Sequence, residues 1–212
     1  MQPQQILYKI HDEMAQSLSR MITVRLQQAI DQNGQARLIL PGGSSPQLLM
    51  KRLAQSDLDW SNVTIMPGDE RCVPFDDPAS NAGQIAALFS GAKVQPQLVR
   101  LWPDHPDDAV LSQISDVTVL GMGLDAHFAS LFPGMGLEEG LIMKTRAPVA
   151  PHDRISLTTK KLLQTRSLVL LVNGSEKHEV ARRILDGQMA DTPLARLIRV
   201  AGSKLELHIV ST

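Results

Sequence analysis

Residues 117–134 read VTVLGMGLDAHFASLFPG, and this stretch decides the fold. The apolar, β-branched run at its start predicts a short buried strand. Gly121 and Gly123 follow, and a glycine permits either a positive φ or the close approach of another group to the backbone. Asp125 and His127 come directly after the glycines. In a parallel sheet this histidine would lie beyond the carboxyl end of its strand, where open α/β sheets bind ligands.

Strand-like and helical segments alternate along the rest of the chain. Apolar residues three and four apart predict a helix over residues 11–32, which ends at Asn33-Gly34. The other predicted strands cover residues 36–40, 63–66, 99–102, 154–158, 168–172 and 205–210, and the other helices cover residues 46–53, 85–89, 160–164 and 176–185. This alternation predicts an α/β fold in one domain, residues 1–212, with a mostly parallel, Rossmann-like sheet and helices on both faces. Right-handed crossovers would bring the carboxyl ends of the strands to one edge.

Composition excludes several classes of protein. The chain has 212 residues, of which 43% are hydrophobic and 20% charged, as in ordinary globular proteins. A net charge of -1 gives no bulk attraction for nucleic acid or anionic membranes. The single cysteine, Cys72, excludes an internal disulfide, and neither a signal peptide nor a membrane-spanning run is evident. We expect a cytoplasmic protein without a nucleic-acid or membrane partner, and a monomer.

A glycine-rich turn follows the predicted strand at residues 36–40. Gly42, Gly43 and Ser44 precede a helix that Ser44 or Ser45 can cap, with Pro46 in its first turn. Free backbone N–H groups and the positive end of the helix would then meet at one place, which suits an anion. The same residues are also explained by capping and turn formation alone.

Charged side chains occur near the ends of other predicted strands. Asp69, Glu70 and Arg71 follow one strand. Arg154 lies within another, and Lys177 lies in the first turn of a helix after a third. Each has an ordinary explanation as a solvated charge or a weak surface ion pair. Their shared position near strand ends favours contacts with a ligand.

A dinucleotide cofactor and a bound metal are both excluded, because the sequence lacks features that each kind of site needs. Residues 121–126 fit the pattern G-x-G-x-x-A, but a dinucleotide site also needs a full helix next, and Pro133-Gly134 interrupts it. No histidine has a partner four residues away, and one cysteine cannot build a structural zinc site. We therefore expect neither a cofactor nor a metal.

Five blocks of sequence together carry a family resemblance. They are PGGSSP at residues 41–46, GDERCVP at 68–74 with Ser80-Asn81 after it, LGMGLDAHFASLFP at 120–133, RISLT at 154–158 and GSEK at 174–177. In this order they resemble the 6-phosphogluconolactonases over nearly the whole chain. The resemblance implies hydrolysis of 6-phosphogluconolactone to 6-phosphogluconate in the pentose phosphate pathway. It also implies an α/β fold shared with glucosamine-6-phosphate deaminase and ribose-5-phosphate isomerase.

Lactone hydrolysis needs an activated water, stabilisation of the carbonyl oxygen and a proton for the departing ring oxygen. We assign the first and third tasks to His127, because a neutral imidazole can accept a proton and return it. Asp69 is the first choice for an acid that orients or tunes the site, and Asp125 is the second. Arg71 and Arg154 are suited to the phosphate. The substrate- and phosphate-binding candidates are Gly42, Gly43, Ser44, Arg71, Asp125, Arg154 and Lys177.

The chain departs from the family pattern close to the histidine. Leu124, Ala126 and Phe128 replace an acid, a glycine and a hydroxyl, and Cys72 stands where an aromatic residue is usual. If Ala126 must adopt a positive φ, alanine strains the loop by about 1 kcal/mol or more. Two alternatives to an active lactonase therefore stay open: a sugar-phosphate deaminase or isomerase of the sister type, and a non-catalytic sugar-phosphate-binding protein.

Overall fold

A seven-stranded parallel sheet lies at the centre of the computed structural model, which describes residues 2–148 and 151–210. In spatial order its strands are β1 (Gln4–Tyr8), β10 (Leu205–Val210), β9 (Thr165–Asn173), β6 (Ser115–Leu120), β2 (Ala36–Leu40), β3 (Val63–Pro67) and β5 (Gln97–Leu98). β6 is the middle strand and every one of its residues is buried. A parallel strand covered on both faces needs apolar residues on both sides, which explains its apolar run.

Helices cover both faces of this sheet, as predicted. α1 (His11–Asn33), α2 (Gln47–Ala54) and α3 (Asn81–Phe89) pack on one face and form one hydrophobic core. α4 (Asp108–Leu111), α5 (Thr159–Leu162), α6 (Ser175–Leu185) and α7 (Pro193–Ala201) contribute to the core on the other face. None of the helices within the described ranges is long and apolar enough to cross a membrane.

A second, three-stranded antiparallel sheet adjoins the parallel one. It consists of β4 (Asp69–Arg71), β8 (Asp153–Leu157) and β7 (Ile142–Arg146), in that spatial order. The prediction treated the charged residues of β4 as the end of the preceding strand. They form a strand of their own because they pair with β8, where Arg71 lies opposite Arg154. A strand of three residues that pairs with a distant segment is too short to show a periodic pattern of apolar residues.

Two local predictions are wrong, and four further elements were not predicted. No strand forms at residues 99–102, because the pairing with β3 covers only β5, Gln97–Leu98, which lies just before this segment, and Leu101 is buried in the second core. Neither Ser44 nor Ser45 caps α2, since Pro46 is the N-cap residue and no side chain makes a capping bond. The sequence patterns also gave no indication of β1, β7, α4 or α7.

A chain of polar side chains connects β1, β10 and α1. The Tyr8 hydroxyl and His208 Nδ1 lie 2.9 Å apart, and His208 Nε2 lies 3.5 Å from Glu206 Oε2. Arg25 donates to Glu206 Oε1 at 2.8 Å. The hydrogen bonds from His208 and Arg25 lower the pKa of Glu206 to about 2. The ionised carboxylate therefore stabilises the folded state.

We expect Glu206→Gln to lower the free energy of unfolding at pH 7 by about 2 kcal/mol, the range for hydrogen bonds to a charged group. The folded-state pKa lies below the ordinary value of 4.5, so this stabilisation is present above pH 4.5 and is lost as the pH falls toward 2. Urea unfolding of both proteins at pH 7 and pH 3 measures the difference. Glu139→Gln, an exposed change, is the control. An undiminished difference at pH 3 would contradict this explanation.

Candidate active site

The carboxyl ends of β2, β3, β6 and β9 surround a cleft with a volume of about 300 Å³. Eight of the nine predicted site residues line it, namely Gly42, Gly43, Ser44, Asp69, Arg71, His127, Arg154 and Lys177. The ninth, Asp125, contacts His127. The topology therefore brings together residues that are up to 135 positions apart, from Gly42 to Lys177.

Gly42 and Gly43 are glycines for different reasons. A Cβ atom at Gly42 would lie 1.8 Å from Asn81 Oδ1, so the side chain of Asn81 occupies that space. Gly43 has a φ of 86°, which side chains disfavour. Beyond them, Lys177 Nζ donates to Ser45 Oγ at 3.2 Å. This bond engages one of the two hydroxyls that the prediction offered as a cap for α2.

His127 is held by the acid two residues before it. His127 Nδ1 donates to Asp125 Oδ1 at 2.5 Å, which leaves Nε2 as the imidazole's proton acceptor. Asp69, the first choice for the orienting acid, instead accepts hydrogen bonds from Ser130 Oγ at 2.5 Å and from Asn81. The structure thus assigns the contact with the histidine to Asp125, the second choice.

A tight turn presents this pair to the cleft. Gly123 N–H donates to the His127 carbonyl at 3.0 Å, and Ala126 N–H donates to the Gly123 carbonyl at 3.1 Å. A Cβ atom at Gly123 would lie 2.2 Å from His127 Cε1 and 2.6 Å from Asp125 Oδ1. Close approach of the imidazole therefore requires glycine at this position.

Ala126 has a φ of 63°, a left-handed conformation that is unfavourable for alanine. The loop therefore carries the backbone strain expected for a positive φ at this residue. The residue is fully buried, and its carbonyl accepts a hydrogen bond from Leu194 N–H at 3.1 Å. Leu194 belongs to the first turn of α7. The packing of α7 thereby holds the histidine turn in a conformation that its sequence disfavours.

Two arginines face each other across one antiparallel strand pair. Arg71 and Arg154 occupy directly opposite positions, an arrangement in which like charges repel. Buried Asp69 partly balances them, with Arg154 Nη1 3.7 Å from its carboxylate. The Nε atoms of both arginines are buried and make no hydrogen bond to the described part of the chain. A positive, under-coordinated pair of this kind suits an anion.

Burial shifts the pKa values of two cationic side chains in the cleft, Arg154 and Lys177. Burial, with the charge of Arg71 as a second cause, lowers the pKa of Arg154, whereas Asp69 raises it. Burial also lowers the pKa of the Lys177 ammonium group. Both shifts indicate charges that are poorly solvated and gain from an anionic ligand.

Four supporting residues were not predicted as site residues. The Glu70 carboxylate accepts hydrogen bonds at 2.7 Å from the first two N–H groups of α3, beginning with Asn81. Ser130 bridges Asp69 and Arg154. The Phe132 ring lies 4.7 Å from the His127 ring and 5.8 Å from Arg154 Cζ. Ser130 and Phe132 lie within residues 117–134, and Asn81 belongs to the sequence blocks that carry the family resemblance, but only tertiary contacts reveal their roles.

Within residues 2–148 and 151–210, no three His, Cys, Asp or Glu side chains are grouped so that they could hold a metal ion. The groups that are assembled are a carboxylate–histidine pair, two arginines and a lysine. Together they can transfer a proton beside a bound anion.

A parallel α/β fold with such a cleft at its carboxyl edge defines a class, an enzyme-type site for small anionic substrates. The chain belongs to the glucosamine-6-phosphate isomerase/6-phosphogluconolactonase family, whose family model matches residues 9–206. It is 37% identical over 203 residues to a 6-phosphogluconolactonase from Pseudomonas putida, covering 84% of each chain. It is 33% identical to one from Neisseria meningitidis serogroup A, covering 92% of this chain and 94% of the relative. The crystal structure of a 6-phosphogluconolactonase from Shewanella baltica OS155 superposes with a TM-score of 0.80 at 29% identity, covering 97% of each chain.

Proposed function

We propose that the protein hydrolyses 6-phospho-D-glucono-1,5-lactone to 6-phosphogluconate, in the cytoplasm and as a step of the pentose phosphate pathway. One observation carries the proposal: a histidine backed by a carboxylate shares a cleft with two arginines whose Nε groups are unpartnered in the described chain. The relatives named 6-phosphogluconolactonase support it. The reaction needs no cofactor, nucleic acid or membrane partner.

His127 Nε2 removes a proton from water as the water oxygen bonds to the lactone carbonyl carbon. Asp125 accepts the Nδ1 hydrogen bond and stabilises the imidazolium that forms. The tetrahedral intermediate collapses when the bond between that carbon and the ring oxygen breaks. The imidazolium returns the proton to the ring oxygen, and the product is an open-chain carboxylic acid with a free hydroxyl. At neutral pH the acid then loses its proton to solvent and becomes the carboxylate.

The cations and the glycine turn bind the phosphate end of the substrate. Arg71 and Arg154 offer planar, charged donors. Lys177 adds a third positive charge, and its partner Ser45 adjoins the turn that contains Gly43. Binding energy from this remote group fixes the lactone carbon against the water.

The direct test is an assay with freshly prepared lactone. Purified protein is mixed with enzymatically generated 6-phosphogluconolactone, and acid release is followed against the spontaneous rate. We expect strong acceleration that is absent with gluconolactone lacking the phosphate. Ring opening at the spontaneous rate would refute the proposal.

Arg154→Lys tests the phosphate site while keeping a positive charge beside Asp69. Lysine lacks the planar fork, so we expect KM to rise about tenfold with little change in kcat, as for loss of one charge-assisted hydrogen bond. Steady-state kinetics on the lactone measure both constants. Arg146→Lys, on the neighbouring strand β7 and paired with exposed Asp153, is the matched control. An unchanged KM in Arg154→Lys would place the phosphate elsewhere.

A further inference from the structure

The Phe132 ring contacts two of the proposed functional side chains at once. Its centroid lies 4.7 Å from the centroid of the His127 ring, and the two planes are tilted by 49°. Arg154 Cζ lies over the same phenyl ring, 5.8 Å from its centroid. His127 belongs to the turn after β6 and Arg154 belongs to β8, so one side chain contacts groups that are supplied by different sheets.

The position of this ring is itself fixed. Phe132 has an exposed fraction of 5% and belongs to the second hydrophobic core. Its backbone N–H donates to Met135 Sδ at 3.0 Å, and its carbonyl accepts a hydrogen bond from Met135 N–H at 3.4 Å. Side chains in a core sit in rotamer minima against close-packed neighbours, so the ring can serve as a fixed wall.

Polar contacts alone hold the two neighbours of the ring loosely. Arg154 Nη1 lies 3.4 Å from Ser130 Oγ and 3.7 Å from Asp69 Oδ2, and both distances are long for a charged donor. Within the described residues, the His127 side chain makes one hydrogen bond, to Asp125, and an imidazole can tilt about a single bond. An aromatic ring restricts both groups, because it packs against another ring and attracts a guanidinium within about 6 Å of its face.

We propose that Phe132 is a positioning residue, which holds the general base His127 and the phosphate-site cation Arg154 at one fixed separation. This inference rests on the proposed lactonase function. The base acts at the lactone carbon and the arginine acts at the phosphate, so the two groups contact different ends of one substrate. A misplacement of about 1 Å has a large effect on rate, and a wall shared by both groups prevents it.

Phe132→Leu removes the ring and keeps an apolar side chain in the core. We expect KM for 6-phosphogluconolactone to rise about threefold from loss of the guanidinium contact. We expect kcat to fall about tenfold, because the imidazole is no longer held in place. Steady-state kinetics, after subtraction of spontaneous opening, measure both constants.

Phe89→Leu is the matched control. It removes a comparably buried ring, which packs edge-on against Trp60 in the first core with 4.8 Å between the ring centroids. Urea unfolding should show a similar loss of stability in Phe89→Leu and Phe132→Leu. Phe89→Leu should keep the native kcat and KM, because its ring contacts neither the base nor the arginine.

Double-mutant cycles separate a positioning role from a structural one. If Phe132 acts through His127, Phe132→Leu should no longer lower kcat in the His127→Ala background. If it acts through Arg154, its effect on KM should shrink in the Arg154→Lys background. A purely structural role would multiply the losses by the same factors in both backgrounds, and that result would overturn the inference.

Native kcat and KM in Phe132→Leu would also overturn the inference, and so would the same kinetic losses in Phe89→Leu. Phe132→Met, whose flexible side chain fills irregular gaps in a core, enters the same cycles if the leucine variant does not fold. A native protein that does not open the lactone would refute the proposed function, and with it this inference. The other outcomes refute only the role of Phe132.

Discussion

Replacing His127 with alanine is expected to lower kcat/KM for 6-phosphogluconolactone by about 10³-fold, within the range for loss of a general acid–base group. The variant loses both proton transfers, to the ring oxygen and from the water, while the phosphate site stays intact. KM should therefore change little and kcat should carry the loss. Stopped-flow measurement of acid release separates the residual rate from spontaneous opening.

Rescue distinguishes a lost base from a damaged fold. The His127 side chain is partly exposed in the cleft, so added imidazole should enter the space it leaves and restore part of the rate. His105→Ala, which removes an exposed loop histidine, should keep the native rate. A His127→Ala protein with undiminished activity would remove the histidine from the mechanism.

The central part of the fold could be predicted because its buried segments show apolar patterns in the sequence. β6 lies between two layers and is apolar along its length, and α1 carries an apolar stripe that ends at Gly34 with a φ of 74°. β1 and β7 escaped prediction because neither is buried throughout and each depends on a partner strand, β10 at the other end of the chain for β1 and β8 across a loop for β7. Short exposed strands are stabilised mainly by those partners, which one segment alone does not reveal.

The residues of the candidate site could also be predicted only in part. His127 and the arginines could be predicted because they lie at or near strand ends, where α/β sheets bind ligands. The choice between Asp69 and Asp125 depended on side-chain directions, and the turn geometry favours the nearer acid. Asn81 had no pattern of its own, because its hydrogen bonds to Glu70 and Asp69 arise only when the chain is folded.

The histidine turn combines strain with firm support. Ala126 has a φ of 63° and Ala129 has a φ of 47°, two left-handed residues on either side of the buried Phe128. The disfavoured backbone persists because α7 and the second core surround it. The apolar residues around His127 therefore leave the Asp125 contact in place.

Gly123→Ala is expected to lower kcat about 10²-fold, because misplacing a catalytic group by about 1 Å has an effect of that size. The new Cβ would lie 2.2 Å from His127 Cε1 and 2.6 Å from Asp125 Oδ1, so the imidazole must move away from its carboxylate. The free energy of unfolding should change by only about 1 kcal/mol, because the backbone of Gly123 does not have a positive φ. Lactone kinetics and urea unfolding, measured together, separate the two effects.

Gly91→Ala is the matched control, since a Cβ atom at that exposed position meets nothing within 4 Å. It should keep both native activity and native stability. If Gly123→Ala kept the native kcat, the imidazole would not need its place against the turn, and the role of Asp125 in holding it would be refuted. A loss of kcat at native stability and nearly native KM would instead show that this glycine acts through the position of His127, because the arginines proposed to bind the phosphate lie on other strands.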